Sequence, residues 1–305
     1  MDLASHVVEC WLPDLQRFGS DHPIRTLIRR GDRLTDGAKG YLGGLSSNFS
    51  CDGALPVAAL TRQHLVGDAG DACWLSADPA WVQPDMSGAR LMACGQLLLN
   101  MHDARALADA LKPIFDDAGM TLCVSSPDRW HLRLPADIAL PDFDAPEQAL
   151  GEDLYEHLPQ GEHARTWRML FNEVQVLLHQ HPINTERRER GLPPVNCLWF
   201  WGGGVLPPRV ATALKGVIAD DVPLLAVAQR ANIRTRARDA SSIMTANAGW
   251  LIDLQDESPD NIATTWWPSL QALSRRQSLI LAFASGERWL CKPWHRLRVW
   301  RRSAS

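Results

Sequence analysis

Asn184, Arg187, Asn196 and three consecutive glycines fall within one stretch, NEVQVLLHQHPINTERRERGLPPVNCLWFWGGG, from Asn172 to Gly204. Arg and Asn side chains donate to carboxylate or phosphate oxygens. A strand that empties into glycines before a helix also bares main-chain N–H groups. The chemistry predicted is anion binding by Asn184, Arg187, Asn196, Gly202, Gly203 and Gly204. Composition alone favours a plainer reading of the glycines, a tight strand-to-helix turn that needs positive φ. No Lys-Ser/Thr follows them, and they do not sit in a G-x-G-x-x-G frame.

The other reactive residue types read as bland. His179 and His181 are two apart at a helix end, which does not put both rings on one face, so they read as polar caps rather than zinc ligands. Asp220-Asp221 reads as a solvated turn. Asp253, with Asp256 and Asp260 beyond it, follows a predicted strand where parallel sheets hold ligands, but no histidine stands near. There is no G-x-S-x-G nucleophile elbow. No catalytic residue and no metal ligand is therefore assigned.

The tail interleaves Arg288, Lys292, Arg296, Arg298, Arg301 and Arg302 with Trp289, Trp294 and Trp300. Cations among aromatics suit single-stranded nucleic acid, and Arg296, Arg298, Arg301 and Arg302 are the candidates. The preferred reading is an edge strand whose Arg side chains face water. A net charge of −4 over 305 residues also argues against a nucleic-acid binder. The seven cysteines are odd in number and none has C-x-x-C spacing, and the N-terminus lacks the features of a signal peptide. They read as reduced thiols in a cytoplasmic protein. No apolar run is long enough to span a bilayer, so no membrane is expected. Thirteen Trp carry indole N–H groups that must find acceptors at core edges.

The elements that would position these residues follow from periodicity. Strands are predicted at 7–12, 73–82, 90–99, 120–125, 130–134, 196–201, 222–228, 250–254 and 279–284, with a last one within 289–300. Helices are predicted at 56–66, 103–117, 150–157, 167–178, 207–215, 236–247 and 262–274. Six glycines in 31–53 predict a long surface loop. The β-β-α-β-β run over 72–141 suits a small α+β unit, and the later alternation suits a mainly parallel sheet.

At residues 179–204 the sequence resembles a family. HQHPINTERRERGLPPVNCLWFWGGG is similar to the H-P-x-N…R…G…P-x-N…G-x-G segment of archaeal-type cofactor-independent phosphoglycerate mutases, of the alkaline phosphatase-like superfamily. ADPAWVQPD at 77–85, LPQG at 158–161 and LWFWGGG ending at Gly204 look closer still to a bacterial group of RpfE-type regulatory proteins. The resemblance covers residues 70–205 best.

It implies an α/β fold, a mainly parallel sheet flanked by helices, with a smaller α+β insertion. Residues 1–70 would be a degenerate N-terminal part of the phosphatase-like body, 71–141 the insertion and 142–305 the rest of the body. The mutases use two divalent metals and a Ser nucleophile. This chain departs from them at four places. Residues 1–30 contain no Asp-Gly metal motif. Ala58 or a neighbour stands at the nucleophile position. The strand predicted at 279–284 runs into Ser285-Gly286-Glu287-Arg288 without the late Asp/His cluster. The Arg that precedes the family's G-x-G is Trp201 here.

The expectation is a non-catalytic regulatory or binding protein without a cofactor, its partner a protein or a small phosphorylated metabolite. The alternatives are a phosphomutase or phosphatase with a rearranged site, which would need Mn or Zn, and a nucleic-acid-binding regulator.

Overall fold

The computed structural model describes residues 6–85, 88–136, 138–161 and 163–298. Its strands are β1 (Val8–Leu12), β2 (Asp32–Arg33), β3 (Cys73–Asp85), β4 (Gly88–Cys94), β5 (Thr121–Ser126), β6 (Arg129–Leu134), β7 (Cys197–Val205), β8 (Gly216–Ile218), β9 (Arg234–Arg236), β10 (Trp250–Asp253), β11 (Leu279–Phe283) and β12 (Arg288–Cys291). The helices are α1 (Ile24–Arg30), α2 (Gly40–Asn48), α3 (Val57–Leu65), α4 (Met101–Asp117), α5 (Pro146–Ala149), α6 (Ala164–Gln180), α7 (Pro182–Glu189), α8 (Val222–Arg230), α9 (Ala240–Met244), α10 (Pro259–Asn261) and α11 (Trp267–Ser274). A π-helical stretch, Ile262–Trp266, joins the last two. The chain divides into two compact units, residues 1–54 with 209–305, and residues 55–208.

The first unit is built on a sheet of order β2-β12-β11-β1-β10-β8-β9. The five strands β11, β1, β10, β8 and β9 run parallel, while β12 and β2 add an antiparallel edge. Alternation along β1 sends Val8, Cys10 and Leu12 into an apolar core with Ile24 of α1, Ile243 of α9, and Leu270 and Leu273 of α11. Each such buried side chain stabilises by about 1.5–3 kcal/mol relative to exposure. The opposite face of β1 carries Glu9 and Trp11, a pairing of charge and indole on a buried surface that a purely structural strand does not need.

The second unit has an antiparallel sheet of order β4-β3-β6-β5, with β7 pairing β3. The β-β-α-β-β run lies inside this unit. Helix α4 starts at Asn100, whose side chain accepts from the Asp103 N–H, and its buried face is Ala104, Leu107, Ala108, Leu111 and Phe115. Helix α6 buries Trp167, Leu170, Phe171, Val174 and Leu178 at helical spacing. Trp167 and Phe115 both meet Phe200 of β7 edge-on.

Three expectations are corrected, and one further helix is found. Residues 40–48 form helix α2 within the predicted loop, and its Gly44 serves close packing rather than a turn: a Cβ there would lie 3.1 Å from the Trp11 indole. Residues 222–230 are helix α8 rather than a strand, started by Asp221 as cap and Pro223 in the first turn. No helix spans 207–215, so the glycines lie within β7 and not at a helix N-terminus. The polar stretch after Pro182 is helix α7, capped by His181, whose Nδ1 accepts from Ile183 N. Smaller shifts also occur: the helix predicted at 236–247 shrinks to α9, and β9 precedes it. All seven cysteines are unpaired. No described helix is long and apolar enough to cross a membrane.

Candidate functional site

Parallel strands deliver their following loops to one edge of a sheet, and ligands of open α/β sheets bind along that edge. In the first unit, β8 leads to Asp220 and Asp221, β9 to Arg238, and β10 ends on Asp253 with Asp256 and Glu257 next. Arg238 organises the acids. Its Nε is 3.4 Å from Asp220 Oδ2, its terminal nitrogens pair with Asp256, and Nη2 lies 3.6 Å from Glu257 Oε1. Nη1 also donates to the Asp253 main-chain oxygen at 3.3 Å. The hydrogen bond to Asp256 foremost, then the charges of Asp256, Glu257 and Asp253, push the Arg238 pKa up.

Asp221 caps α8 through Leu224 N at 2.9 Å, and the Tyr41 hydroxyl donates to the same carboxylate oxygen. Asp253 is 3% exposed, and Gln255 N donates to its Oδ1 at 3.2 Å. Burial first, then the charges of Asp221 and Asp256, raise its pKa to about 7.

Beside this cluster, a cleft of about 310 Å³ lies along the carboxyl ends of β1 and β11. Glu9, Trp11, Asn48, Gln255, Ala282 and Arg288 give it its chemistry. Glu9 is 6% exposed. Its Oε1 accepts from Trp11 Nε1 at 2.9 Å and from Asn48 Nδ2 at 3.5 Å. Main-chain bonds from Gly37 N to Gly286 O and from Gly40 N to Ala284 O, each 2.8 Å, lace the cleft's outer wall together.

The two-metal chemistry implied by the resemblance can be tested on these donors. Among the described residues, no three His, Cys, Asp or Glu side chains converge to hold a metal ion. The acids at the sheet edge have a resident cation, Arg238, at the centre of their cluster. On α3, Ala58 is fully buried and has no hydroxyl. The hydroxyl of that helix, on Thr61, is buried and donates to Val57 O at 2.8 Å. The residues present do not fit the two-metal, serine-nucleophile arrangement.

The residues predicted to bind an anion fall into two groups in the second unit. Asn184 is 1% exposed; its Nδ2 donates to Leu178 O and Val195 O, and its Oδ1 accepts from Val195 N. Arg187 is equally buried and donates to Pro193 O and Leu97 O, and burial lowers its pKa. Asn196 pairs with the main chain of Val82 through both ends of its amide. Asn184 and Asn196 line a 170 Å³ cleft with His179 and Arg188, while Arg187 is committed to carbonyls.

Gly202–Gly204 lie at the other end of β7, about 20 Å from Asn196 at strand rise. A Cβ on Gly203 would meet Leu140 at 2.7 Å and one on Gly204 would meet Pro56 at 2.7 Å. Their bareness serves packing. Trp201, where the mutase pattern has Arg, donates its indole N–H to Asp78 Oδ2 at 2.8 Å. Arg129 ion-pairs with the same buried carboxylate at 2.5 Å.

Of the basic tail, Arg298 pairs with Asp32 at 2.6 Å and stacks 4.5 Å from the Trp294 ring, while Arg296 is exposed. Arg301 and Arg302 lie outside the described residues. β12 is not an edge strand, since β2 covers it.

A serine–histidine pair escaped the sequence reading. Ser125 Oγ lies 2.7 Å from His131 Nδ1, and Arg62 Nη1 donates to that oxygen at 2.9 Å. Thr61 donates to Val57 O, so His131 Nε2–H donates to Thr61 (2.9 Å) and Nδ1 accepts from Ser125. The tautomer suits a general base, but the electrostatics do not. Burial first, then Arg62 and Arg129, lower the imidazole to about 3. A proton on the ring at pH 7 would cost about 5 kcal/mol, and a base works best near ambient pH. The pair is a buried structural network.

No family model matches the chain. It is similar to the 2,3-bisphosphoglycerate-independent phosphoglycerate mutase of Methanothrix thermoacetophila, 36% identical over 84 residues, which is 26% of this chain and 21% of that protein. The probable enzyme of that name from Geobacter sulfurreducens is 40% identical over 85 residues, with the same shares. That of Methanosarcina mazei is 33% identical over 84 residues, again 26% and 21%. The matched stretch spans about a fifth of the length of these curated relatives.

Among solved structures, the cofactor-independent phosphoglycerate mutase of Thermoplasma acidophilum superposes with a TM-score of 0.35 at 14% identity, covering 93% of this chain and 89% of that one. A protein of Pyrococcus horikoshii gives 0.43 at 12% identity, covering 94% and 87%. Neither score reaches the overlap from which a shared fold follows. A quarter of the chain is thus related in sequence to these mutases.

Proposed function

We propose that this chain is a non-catalytic relative of the cofactor-independent phosphoglycerate mutases, of the RpfE-type regulatory group, that binds a small charged ligand in the cytoplasm. The observation that carries this reading is Arg238. A guanidinium bound to Asp256 and close to Asp220 and Glu257 neutralises the acids at the carboxyl edge of the parallel sheet. A divalent cation would have to displace it and would gain little from carboxylates already paired. The buried Ala58 and the committed hydroxyl of Thr61 support the same reading. The binding site is the cleft beside the cluster, where Glu9 and Arg288 stand.

The test is a coupled assay for interconversion of 2- and 3-phosphoglycerate with added manganese or zinc, run with metal analysis of the purified protein. The expected result is no turnover above the chelator-treated blank and no tightly held stoichiometric metal. Manganese-dependent interconversion abolished by chelator would overturn the reading in favour of a rearranged phosphomutase.

A further inference from the structure

Glu9 and Arg288 are two charges of opposite sign that open on one cleft, and neither has an oppositely charged partner among the described residues. Register puts them on the same face. Trp11 lies opposite Ala282 across the β1–β11 pair, and Ala282 lies opposite Arg288 across the β11–β12 pair. Glu9 is two residues from Trp11 and so shares its face. Two strand spacings and two residues of rise separate the Glu9 and Arg288 Cα atoms by about 12 Å. The small side chain of Ala282 occupies the ground between them, and the cleft lies over it.

Both protein bonds to the Glu9 carboxylate end on Oε1, leaving Oε2 without a protein donor. A carboxylate this buried needs a counter-charge or strong donors to offset its desolvation. The Trp11 and Asn48 N–H groups are neutral donors and supply no positive charge. Arg288 is half-buried, and its stem lies against Gly37, where a Cβ would sit 2.9 Å from the Arg288 Cδ. The stem is thereby held at the wall of the cleft, which Arg288 lines, and among the described residues Arg288 forms no ion pair.

We propose that this cleft binds a small zwitterion, an amino acid or short amino-carboxylate. Its ammonium group pairs with Glu9 Oε2 and its carboxylate with Arg288. A neutral hydroxylated molecule would leave both protein charges unpaired, and a simple anion would leave Glu9 so. The carboxamides of Asn48 and Gln255 flank the site as further polar contacts. The volume of about 310 Å³ sits at the small end of ligand pockets. This inference rests on the reading of the chain as a binding protein and names the ligand class of the same site.

The experiment is calorimetric titration of the full chain, with thermal shift in parallel, using L-alanine, β-alanine and 4-aminobutyrate as probes. Acetate and inorganic phosphate serve as anion-only controls and ethylammonium as the cation-only control. At least one zwitterion is expected to bind saturably and at least tenfold more tightly than every control. Glu9→Gln and Arg288→Gln are each expected to weaken it tenfold or more. Ala282→Leu, which keeps both charges and fills the ground between them, is expected to abolish binding, and it serves should Glu9→Gln fail to fold. If acetate or phosphate binds as tightly as the best zwitterion, the zwitterion assignment falls and the binding reading stands. If no probe binds, the zwitterion assignment falls, while the non-catalytic reading is decided separately by the turnover and metal assays. Zwitterion binding undiminished in Arg288→Gln also overturns the assignment.

Discussion

Replacing Asp253 by Asn should change the pH dependence of stability more than stability itself. Asp253 is 3% exposed, and its folded-state pKa is raised to about 7 from the ordinary value of 3.8, by burial and by the charges of Asp221 and Asp256. The folded form therefore holds a proton between those two values that the unfolded chain has released. The stabilisation from that proton is complete below pH 3.8 and is lost as pH rises through about 7. Integrating the linkage from pH 5 to pH 8 gives a loss of about 2.5 kcal/mol from this one group.

Asn has the same shape and keeps an oxygen to accept from Gln255 N, but it has no proton to lose. The difference in unfolding free energy, variant minus wild type, should thus grow by about 2.5 kcal/mol between pH 5 and pH 8. Urea unfolding at four pH values, followed by tryptophan fluorescence at constant ionic strength, measures it. Parallel pH curves for the two proteins would refute the placement of Asp253 as a buried, proton-holding acid.

Three further outcomes follow from the second unit. His131→Asn removes a ring whose folded pKa is lowered to about 3, so the wild type loses about 2 kcal/mol of stability between pH 7 and pH 5 that the variant keeps; equal acid sensitivity in urea melts would contradict this. Asp78→Ala strips the buried partner from Arg129 and Trp201 and should cost roughly 3–5 kcal/mol; a change in urea midpoint worth under about 1 kcal/mol would show the pair is dispensable. Gly204→Ala must place a Cβ 2.7 Å from Pro56 at φ +145, whereas Gly151→Ala meets nothing within 4 Å at φ +83. The first should cost about 1–3 kcal/mol more than the second by denaturant midpoint, and equal costs would mean backbone strain alone matters.

Much of the second unit is legible in the sequence because its strands alternate and α4 and α6 carry long apolar stripes. The first unit is less so. Val222-Pro-Leu-Leu-Ala-Val-Ala is apolar on every side, and periodicity cannot tell a buried helix from a buried strand; Asp221 and Pro223, a cap followed by a first-turn proline, held the answer. Gly44 of α2 reads as a breaker because the ring it packs against, Trp11, stands some thirty residues away. The cleft could not be read at all from spacing, since Glu9 and Arg288 come from opposite ends of the chain and meet through register on β11. One signal was available: a carboxylate in the middle of Val7-Val8-Glu9-Cys10-Trp11-Leu12 is out of place in a buried strand. The side chains expected to hold an anion show a related effect. Asn184 and Arg187 have the chemistry to hold a phosphate, but the carbonyls of their own unit take it up.

Strand β1 is the first strand among the described residues, and its neighbours on both sides are far along the sequence: Glu9 pairs with Leu251 in β10 and with Ile280 in β11. During synthesis this apolar strand must wait until β10 and β11, more than 240 residues later, have been made before both edges can close. Residues 55–208 form a compact unit of their own and are complete well before that. Vectorial synthesis therefore imposes an order, with residues 55–208 maturing first and the unit assembled from the segments on either side of them last. Pairings across such sequence separations are slow to nucleate. A truncated or stalled chain would present Val8-Glu9-Cys10-Trp11-Leu12 as an open strand on both sides, the segment a chaperone would be expected to shield and an aggregate would be expected to recruit.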